Sequence, residues 1–229
     1  MPDTQDQPAE PTPPLQAMII PVTPFVQNCS LVWCSETKQA AFIDPGGGVE
    51  TLTRAVEEQG LRIVKVLLTH GHLDHASAAG TLAEKYAVKI EGPHRDDLFL
   101  IENLQKQGRK YNFPANKDFR PDRWLDNGDQ VTLGNLTFDV LHCPGHTPGH
   151  VVFHHAPSKL AFVGDVLFRG SIGRADLPRG NHEQLIESIR GRLWPLGEDT
   201  QFVPGHGDMS TFGWERKTNA FVADLMFDD

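Results

Sequence analysis

Short runs of apolar residues, separated by glycine, proline and polar residues, follow one another along most of this chain. Runs of this length are typical of strands, and residues 63–68 form an almost wholly apolar run, as expected of a strand buried on both faces. Between the runs the pattern is helical: Leu52, Ala55 and Val56 share one face within residues 49–59, and Gly60 ends that pattern. The chain is therefore predicted to alternate strands with amphipathic helices.

The remaining runs and breaks complete the prediction of an α/β fold. Asn181 is a good N-cap residue with Gln184 three positions on, so a helix is expected to begin there. Residues 109–124 lack any period and are predicted to be a long loop, as binding segments often are. A mixed sheet system covered by helices is expected, although the pattern does not tell one sheet from two. The other predicted strands are residues 17–22, 30–33, 40–43, 88–91, 131–133, 136–141, 151–153, 160–163 and 201–203, and the other helices are 76–86, 96–107 and 214–226.

Composition and charge narrow the class of protein. The 229 residues suit one large domain, predicted at residues 17–229. Residues 1–16 are predicted to be a disordered tail, because five prolines stand among acids and amides in its first fourteen residues. This start lacks the basic and apolar regions of a secretory signal, and no apolar run approaches the roughly 20 residues of a membrane span, so a cytoplasmic protein is expected. A net charge of −9 argues against nucleic-acid partners.

Four residues of the kinds that bind metals lie in one short segment, Thr69-His70-Gly71-His72-Leu73-Asp74-His75. His70 and His72 alternate in an extended stretch, so both can point the same way. Asp74 and His75 follow at the mouth of the predicted helix and can face a second point, while Gly71 allows a tight turn. Because the segment directly follows a buried strand, it is predicted to be a metal site rather than a histidine-rich surface loop.

Three further strand ends supply residues of the same kinds. His146 follows strand 136–141, Asp165 follows strand 160–163, and His206 follows strand 201–203, each beside glycine or proline. The five histidines and two aspartates of the whole set are too many for one tetrahedral ion, whereas two ions with one bridging aspartate accommodate all seven. Nitrogen and oxygen donors without cysteine favour zinc, with iron or manganese as alternatives.

The motif HxHxDH, followed in order by His146, Asp165 and His206, resembles the metallo-β-lactamase superfamily from about residue 17 to the end of the chain. Within it the chain is most similar to the glyoxalase II-like branch, the hydroxyacylglutathione hydrolases, and to their short bacterial members. The resemblance implies an αββα sandwich of two mixed β-sheets flanked by helices, with the metals at one edge of the sheets. The stretches that carry it are residues 69–75, 144–150, 164–165, 170–180 and 204–207.

The resemblance also implies roles for the seven residues. One metal ion would be held by His70, His72 and His146. A second would be held by Asp74, His75 and His206, with Asp165 bridging, and Asp74 and Asp165 are the residues expected to be catalytic. The implied enzyme hydrolyses a thioester, S-lactoylglutathione or a related acylglutathione. Two metal ions would supply hydroxide near neutral pH to attack the thioester carbonyl, and a thiolate leaving group needs no obvious general acid.

The residues that bind substrate are indicated less directly. Typical glyoxalase II enzymes continue past the last histidine into a helical domain that helps bind glutathione, whereas residues 207–229 suffice here for about one helix. Glutathione carries two carboxylates, which arginine binds through paired hydrogen bonds. Residues 109–123 hold five basic residues against two acidic ones, a local charge of +3, and Arg174 and Arg179 follow Asp165. We therefore expect this loop and Arg174 to flank the metal cleft and bind the glutathione moiety.

Other functions compete with thioester hydrolysis. Persulfide dioxygenases share this fold and have a segment similar to Gly173-Arg174-Ala175-Asp176. The resemblance to them implies a single iron, held at the positions that match His70, His146 and Asp165. A β-lactamase is expected to carry an export signal, and a nuclease of the superfamily an extra domain and a basic face. A metal-binding module without catalysis is the remaining class. Metal content, hydrolysis of S-lactoylglutathione and oxygen consumption with glutathione persulfide distinguish these functions.

Overall fold

The structure is a computed structural model that describes residues 14–111, 113 and 117–227. Its strands are β1 (Leu15–Val22), β2 (Gln27–Cys34), β3 (Gln39–Ile43), β4 (Arg62–Leu67), β5 (Lys89–Glu91), β6 (Gln130–Leu133), β7 (Leu136–His142), β8 (Val151–His155), β9 (Leu160–Gly164), β10 (Leu167–Phe168), β11 (Ser171–Ile172), β12 (Gln201–Pro204) and β13 (Ser210–Thr211). Its α-helices are α1 (Val49–Glu58), α2 (Leu73–Ala76), α3 (Ala79–Tyr86), α4 (Leu98–Ile101), α5 (Leu104–Tyr111), α6 (His182–Ser188) and α7 (Phe212–Thr218). Short 3₁₀ turns lie at Arg95–Asp97, Ala156–Ser158, Trp194–Leu196 and Asp224–Met226, and α6 continues as a π-helix at Ile189–Leu193.

The strands form two large mixed sheets. The first has the order β1-β2-β3-β4-β5, in which β1, β2 and β3 pair antiparallel and β3, β4 and β5 pair parallel. The second has the order β13-β12-β9-β8-β7-β6, in which β12 and β9 are parallel and the other pairs antiparallel. A small hairpin joins β10 to β11. The predicted α/β class with mixed sheets is confirmed, and the sheets are two.

Apolar side chains fill three layers of the fold. Between the sheets, Val32 and Leu67 of the first belong to the same buried cluster as Phe138 and Phe153 of the second. Alternate residues of a strand face opposite sides, so the residues that alternate with these along each strand point to the outer faces of the two sheets. One outer cluster joins the first sheet to α1 and α3, and another joins the second sheet to α6 and α7. The result is the expected αββα sandwich.

Two boundaries of the predicted elements are wrong near the beginning of the chain. β1 begins at Leu15, inside the predicted tail, because Leu15 pairs with Cys34 and is only 6% exposed. Residues 1–13 of that tail lie outside the described residues. The predicted helix 76–86 is two helices, since α2 already begins at Leu73 and α3 follows after a break. The segment 69–75, predicted to bind metal, therefore enters a helix sooner than predicted.

The middle and the end of the chain also differ from the prediction. The helix predicted at 96–107 is divided into a 3₁₀ turn, α4 and α5, and α5 runs through Gly108 to Tyr111. Glycine weakens a helix without necessarily ending it. Residues 112 and 114–116 of the predicted loop lie outside the described residues. The helix predicted at 214–226 ends at Thr218. Within the part of the chain that the structure describes, no helix is both long and apolar enough to cross a lipid bilayer.

Candidate metal centre

The seven predicted site residues meet where strands of both sheets end. The first sheet supplies the segment after β4, with His70 and His72 in an extended stretch and Asp74 and His75 in α2. The second sheet supplies the other three: His146 from the loop between β7 and β8, Asp165 directly after β9, and His206 after β12. Each side chain thus projects from the end of a rigid strand or from the short helix that follows one.

Three histidines form the first group of possible metal ligands. Ring nitrogens of His70, His72 and His146 lie within 4.8 Å of one another, and His146 Nε2 is 2.9 Å from His72 Nδ1. His70 is fully buried and His146 is 2% exposed. Three imidazoles facing a cleft would leave the remaining coordination positions of a bound ion open to water or substrate, unlike the four protein ligands of a closed structural site.

A carboxylate and two histidines form the second group. Ligand atoms of Asp74, His75 and His206 also lie within 4.8 Å of one another. Asp74 Oδ2 is 3.2 Å from His206 Nε2 and 3.8 Å from His75 Nε2. The second group therefore also fits one ion, and its carboxylate gives it a more negative charge than the first.

Asp165 lies between the two groups. Its Oδ2 is 3.5 Å from His146 Nε2, in the first group, and 3.8 Å from His206 Nε2, in the second. Its Oδ1 is 3.3 Å from His75 Nε2. One carboxylate thus faces ligand atoms of both groups, which is the geometry a bridging ligand requires.

Unpartnered polar atoms show that the site fits metal ions. His70 Nε2 is buried and has no hydrogen-bond partner in the described part of the chain, and the buried atoms His75 Nε2 and Asp165 Oδ1 face each other at 3.3 Å without hydrogen-bond geometry. Buried polar atoms are nearly always paired, and a cation satisfies a lone pair of each of these three. Asp44 could form a further group with His70 and His75. Its two oxygens, however, already receive hydrogen bonds from Thr69 and His75, so a supporting role fits it better.

Hydrogen bonds to the far side of each ring fix the direction of the ligand nitrogen. His75 Nδ1 lies 2.9 Å from Asp44 Oδ2, His146 Nδ1 lies 2.7 Å from the Arg174 carbonyl oxygen, and His206 Nδ1 lies 3.2 Å from the Phe25 carbonyl oxygen. These acceptors assign a ring proton to Nδ1, so that Nε2 of each ring faces the centre. Rings held in this way enter the site in the orientation that a metal needs.

The sequence interpretation missed two buried aspartates that support the site. Asp44 follows β3, beside proline and glycine, so the strand-end rule that located the ligands could have found it. Asp97 is fully buried and accepts hydrogen bonds from the Gly71 and Gly149 amides and from the Thr147 hydroxyl, at 2.7 to 2.9 Å. It ties the two ligand-bearing loops together. Nothing in its local sequence indicates this role.

Gly71 is required for packing and not for the tight turn predicted from the sequence. Its φ is not in the left-handed region. A Cβ at this position would lie 2.9 Å from Leu100 Cβ and 3.3 Å from the Asp97 carbonyl oxygen. The segment between His70 and His72 therefore passes too close to the 95–101 region for a side chain.

His150 supports the centre without joining either ligand group. Its Nε2 accepts a hydrogen bond of 3.0 Å from the Asp165 amide. Its ring also stacks on that of His70, with centroids 4.6 Å apart. The contacts hold Asp165 and His70 in place, while the remaining histidines outside the seven do not join either ligand group.

The pKa shifts of the site residues differ between the two ligand groups. Burial, reinforced by neighbouring histidines, lowers the pKa of His70 well below its usual value and that of His72 to about 3, so both rings are neutral and able to bind a metal. Burial alone would also lower the pKa of His75, but Asp165 and Asp74 raise it well above the usual value. Burial would raise the pKa of Asp165, yet His75 holds it well below its usual range. Ionised carboxylates thus lie where cations are expected.

A cleft of about 1100 Å³ opens over the centre. That volume accommodates a small-molecule substrate of the size of a peptide conjugate. Phe25, Phe99 and Phe168 give it apolar walls. Lys106 and Lys110 of α5 and Arg174 of the loop after β11 add positive charge. The cleft therefore combines the candidate metal centre with apolar and cationic surfaces.

The basic residues predicted to bind glutathione are only partly at the cleft. Arg174 lines it, but its guanidinium donates two hydrogen bonds of 2.7 Å to Asp176. Of the predicted loop, Lys110 lines the cleft, whereas Lys117 pairs with Glu84 and Arg123 pairs with Glu91. The substrate contact predicted for Arg174 stays a prediction.

The comparison with known families agrees with this geometry. Residues 22–206 match the family model of the metallo-beta-lactamase superfamily, and the chain belongs to that superfamily of metallo-hydrolases. A relative from Haemophilus influenzae, the hydroxyacylglutathione hydrolase GloC, is 49% identical over 205 residues, which are 89% of this chain and 96% of the relative.

Three solved structures share the fold. BLEG-1, a B3 metallo-beta-lactamase, is 32% identical with a TM-score of 0.82 over 91% of this chain and 99% of its own. TTHA1623, solved in a di-iron-bound form, is 37% identical with a TM-score of 0.81 over 90% of this chain and 100% of its own. ETHE1 from Myxococcus xanthus is 26% identical with a TM-score of 0.75 over 92% of this chain and 84% of its own. The resemblance stated from the motifs is confirmed.

Proposed function

We propose that this protein hydrolyses a glutathione thioester, S-lactoylglutathione or a related acylglutathione, and that it does so with two divalent metal ions, expected to be zinc. The observation that carries the proposal is the position of Asp165, whose two oxygens face both ligand groups at the bottom of the cleft. The 49% identity to a hydroxyacylglutathione hydrolase supports the same class of substrate here.

The residues of the site suit this reaction. Two bound divalent ions would lower the pKa of water from about 15.7 towards about 7 and polarise the thioester carbonyl. His146 and His206 keep Nε2 directed at the centre, because their Nδ1 atoms donate to backbone carbonyls. Asp165 would hold the two ligand groups at a fixed separation. Asp74 lines the cleft and would orient the attacking water through its carboxylate.

The leaving group explains why no further acid is needed. Thiols have pKa values near about 8–9, so a thiolate can depart without first taking a proton from a side chain. Phe25 and Phe168 are among the apolar walls of the cleft, and the Phe168 ring lies 6.2 Å from the His206 ring. These walls would limit access of bulk water to the reacting carbon. A thioester therefore suits this site, because its leaving group needs no general acid and the walls of the cleft are apolar.

The test is metal analysis of the purified protein together with steady-state hydrolysis of S-lactoylglutathione. We expect about two ions per chain and thioester hydrolysis that is lost on chelation and restored by zinc. If the protein contained iron in place of zinc, as in the di-iron-bound relative, the identity of the proposed metal would change and the proposed reaction would not. A protein loaded with two ions that hydrolyses no acylglutathione would contradict the proposal.

Persulfide oxidation is the second candidate, because the segment Gly173-Arg174-Ala175-Asp176 resembles one in persulfide dioxygenases. It would use a single iron at His70, His146 and Asp165. The complete second group of Asp74, His75 and His206 favours two ions instead. Oxygen consumption with glutathione persulfide by a protein holding one iron would establish the dioxygenase, and β-lactam hydrolysis would establish an activity like that of BLEG-1. The cytoplasmic location and the absence of nucleic-acid partners stay predictions from the sequence.

A further inference from the structure

Two lysines stand on one face of α5 and line the cleft. Lys106 and Lys110 are four residues apart, so their side chains lie on neighbouring turns of the same face. Both are exposed, and both belong to the wall of the cleft that also holds Asp74 and His146. The helix presents two positive charges to the space above the candidate metal centre.

The position of α5 is fixed by its other face. Leu104 and Gly108 are buried, and Leu104 belongs to the core cluster that also contains Leu73 of α2. α2 carries Asp74 and His75. The two lysines therefore stand on a helix that packs directly against the helix carrying two candidate ligands, and their distance from the centre is set by the core.

The charges of these lysines are not paired with a carboxylate in the part of the chain that the structure describes. Among the described residues no carboxylate forms an ion pair with Lys106 or Lys110, and Lys110 Nζ lies 5.1 Å from the centroid of the Tyr111 ring. The third cation of the cleft, Arg174, is paired with Asp176 through two hydrogen bonds. In a chain with a net charge of −9, two ammonium groups without a carboxylate partner among the described residues thus line the cleft.

We propose that Lys106 and Lys110 bind the carboxylates of the glutathione moiety and so select acylglutathiones over other thioesters. The inference rests on the proposed function and deepens it. The acyl end of such a substrate would reach the centre at Asp165, and the carboxylates would lie at the α5 wall of the same cleft. Arg174 would instead hold the His146 ring through its backbone carbonyl.

The experiment compares two thioesters with the same acyl group. S-lactoylglutathione carries carboxylates, whereas S-lactoyl-N-acetylcysteamine carries none. The variants are Lys106→Gln, Lys110→Gln and the double variant. Arg109→Gln is the matched control, because Arg109 is an exposed cation of the same helix that does not line the cleft.

For S-lactoylglutathione, we expect KM to rise about 3-fold in each single variant and about 10-fold in the double variant, with kcat unchanged, because exposed charge pairs contribute modest uniform binding. The N-acetylcysteamine thioester should be hydrolysed equally by all variants, and Arg109→Gln should resemble the wild type with both thioesters.

Three results would overturn the inference. An unchanged KM in the double variant, with the wild type active on S-lactoylglutathione, would refute the lysine contacts alone and leave the proposed function standing. An equal rise in KM for both thioesters, or the same rise in Arg109→Gln, would show an indirect effect. A wild-type protein that hydrolyses neither thioester would overturn the inference together with the proposed function.

Discussion

Gly205 offers a test of the metal centre that changes no ligand and no charge. A Cβ at this position would lie 2.0 Å from Asp165 Oδ1 and 2.6 Å from His75 Cε1. Real Cβ atoms essentially never make contacts shorter than 3.0 Å, so Gly205→Ala must displace the Asp165 carboxylate, or its own backbone, by about 1 Å. The φ of Gly205 is not in the left-handed region, and alanine can adopt it. The strain therefore falls on the Asp165 and His75 side chains or on the backbone at residue 205.

The expected consequence is a large loss of activity in a folded protein. A misplacement of about 1 Å in an active site costs on the order of 100-fold in rate. We expect kcat/KM for S-lactoylglutathione to fall by about that factor and the metal content to fall below two ions per chain. The far-UV circular dichroism spectrum and cooperative unfolding should be retained. Metal analysis provides a readout that does not depend on which substrate is correct.

Gly191→Ala is the matched control for this substitution. It makes the same chemical change in a helical segment where an added Cβ meets no heavy atom within 4 Å. This variant should keep wild-type metal content and activity. If Gly205→Ala also retained two ions and an unchanged kcat/KM, the contact between Gly205, Asp165 and His75 would not constrain the centre, and the assignment of Asp165 as a bridging ligand would lose its geometric basis.

The remaining predictions concern the same centre. Asp165→Ala should abolish turnover while leaving a folded protein, and near-wild-type hydrolysis with metals retained would refute its role. Chelation should lower the melting temperature of the wild type, with zinc restoring it, because ions that bind only the folded state stabilise it by about 2.7 kcal/mol at 100 times Kd; Asp165→Ala should respond much less. Burial raises the pKa of Asp97 to about 6. Its contribution to stability is thus full below about pH 4 and is lost as the pH rises through about 6. In Asp97→Asn, the free energy of unfolding should no longer fall by roughly 3 kcal/mol as the pH rises across that window. If the variant kept the pH profile of the wild type, a group other than Asp97 would be responsible for the titration.

The convergence of the candidate ligands could be predicted from the sequence because it follows a local rule. His146, Asp165 and His206 each stand at the end of an apolar run and beside glycine or proline, and strand ends meet at an edge of a sheet. Their convergence needed no knowledge of the rest of the chain. Asp44 obeys the same rule and could have been found with it. Asp97 could not, because its partners Gly71 and Thr147 are distant in sequence and only the packing of the 95–101 region brings them together.

The substrate surface was harder to predict for the same physical reason. Local charge counts pointed to residues 109–123, yet Arg123 of that stretch is paired with Glu91. The structure places Lys106 in the cleft as well as Lys110, because α5 continues through Gly108 and turns one face toward the centre. Which cations remain unpaired depends on contacts between distant segments, and periodicity carries no information about those contacts.

The centre depends on the docking of the two sheets. Its candidate ligands come from both sheets, and Asn28 of β2 joins the two sheets. The backbone amide of Asn28 donates to the Gly205 carbonyl at 2.7 Å, and its side-chain amide donates to the Pro204 and Gly207 carbonyls at 3.1 and 2.8 Å. The loop that carries His206 is thereby fixed to the first sheet. An unfolded chain would hold the same histidines far apart, so the core between the sheets determines the separation of the ligand groups. Metal affinity and the stability of that core are therefore coupled, and a substitution between the sheets can impair the reaction without contacting a ligand.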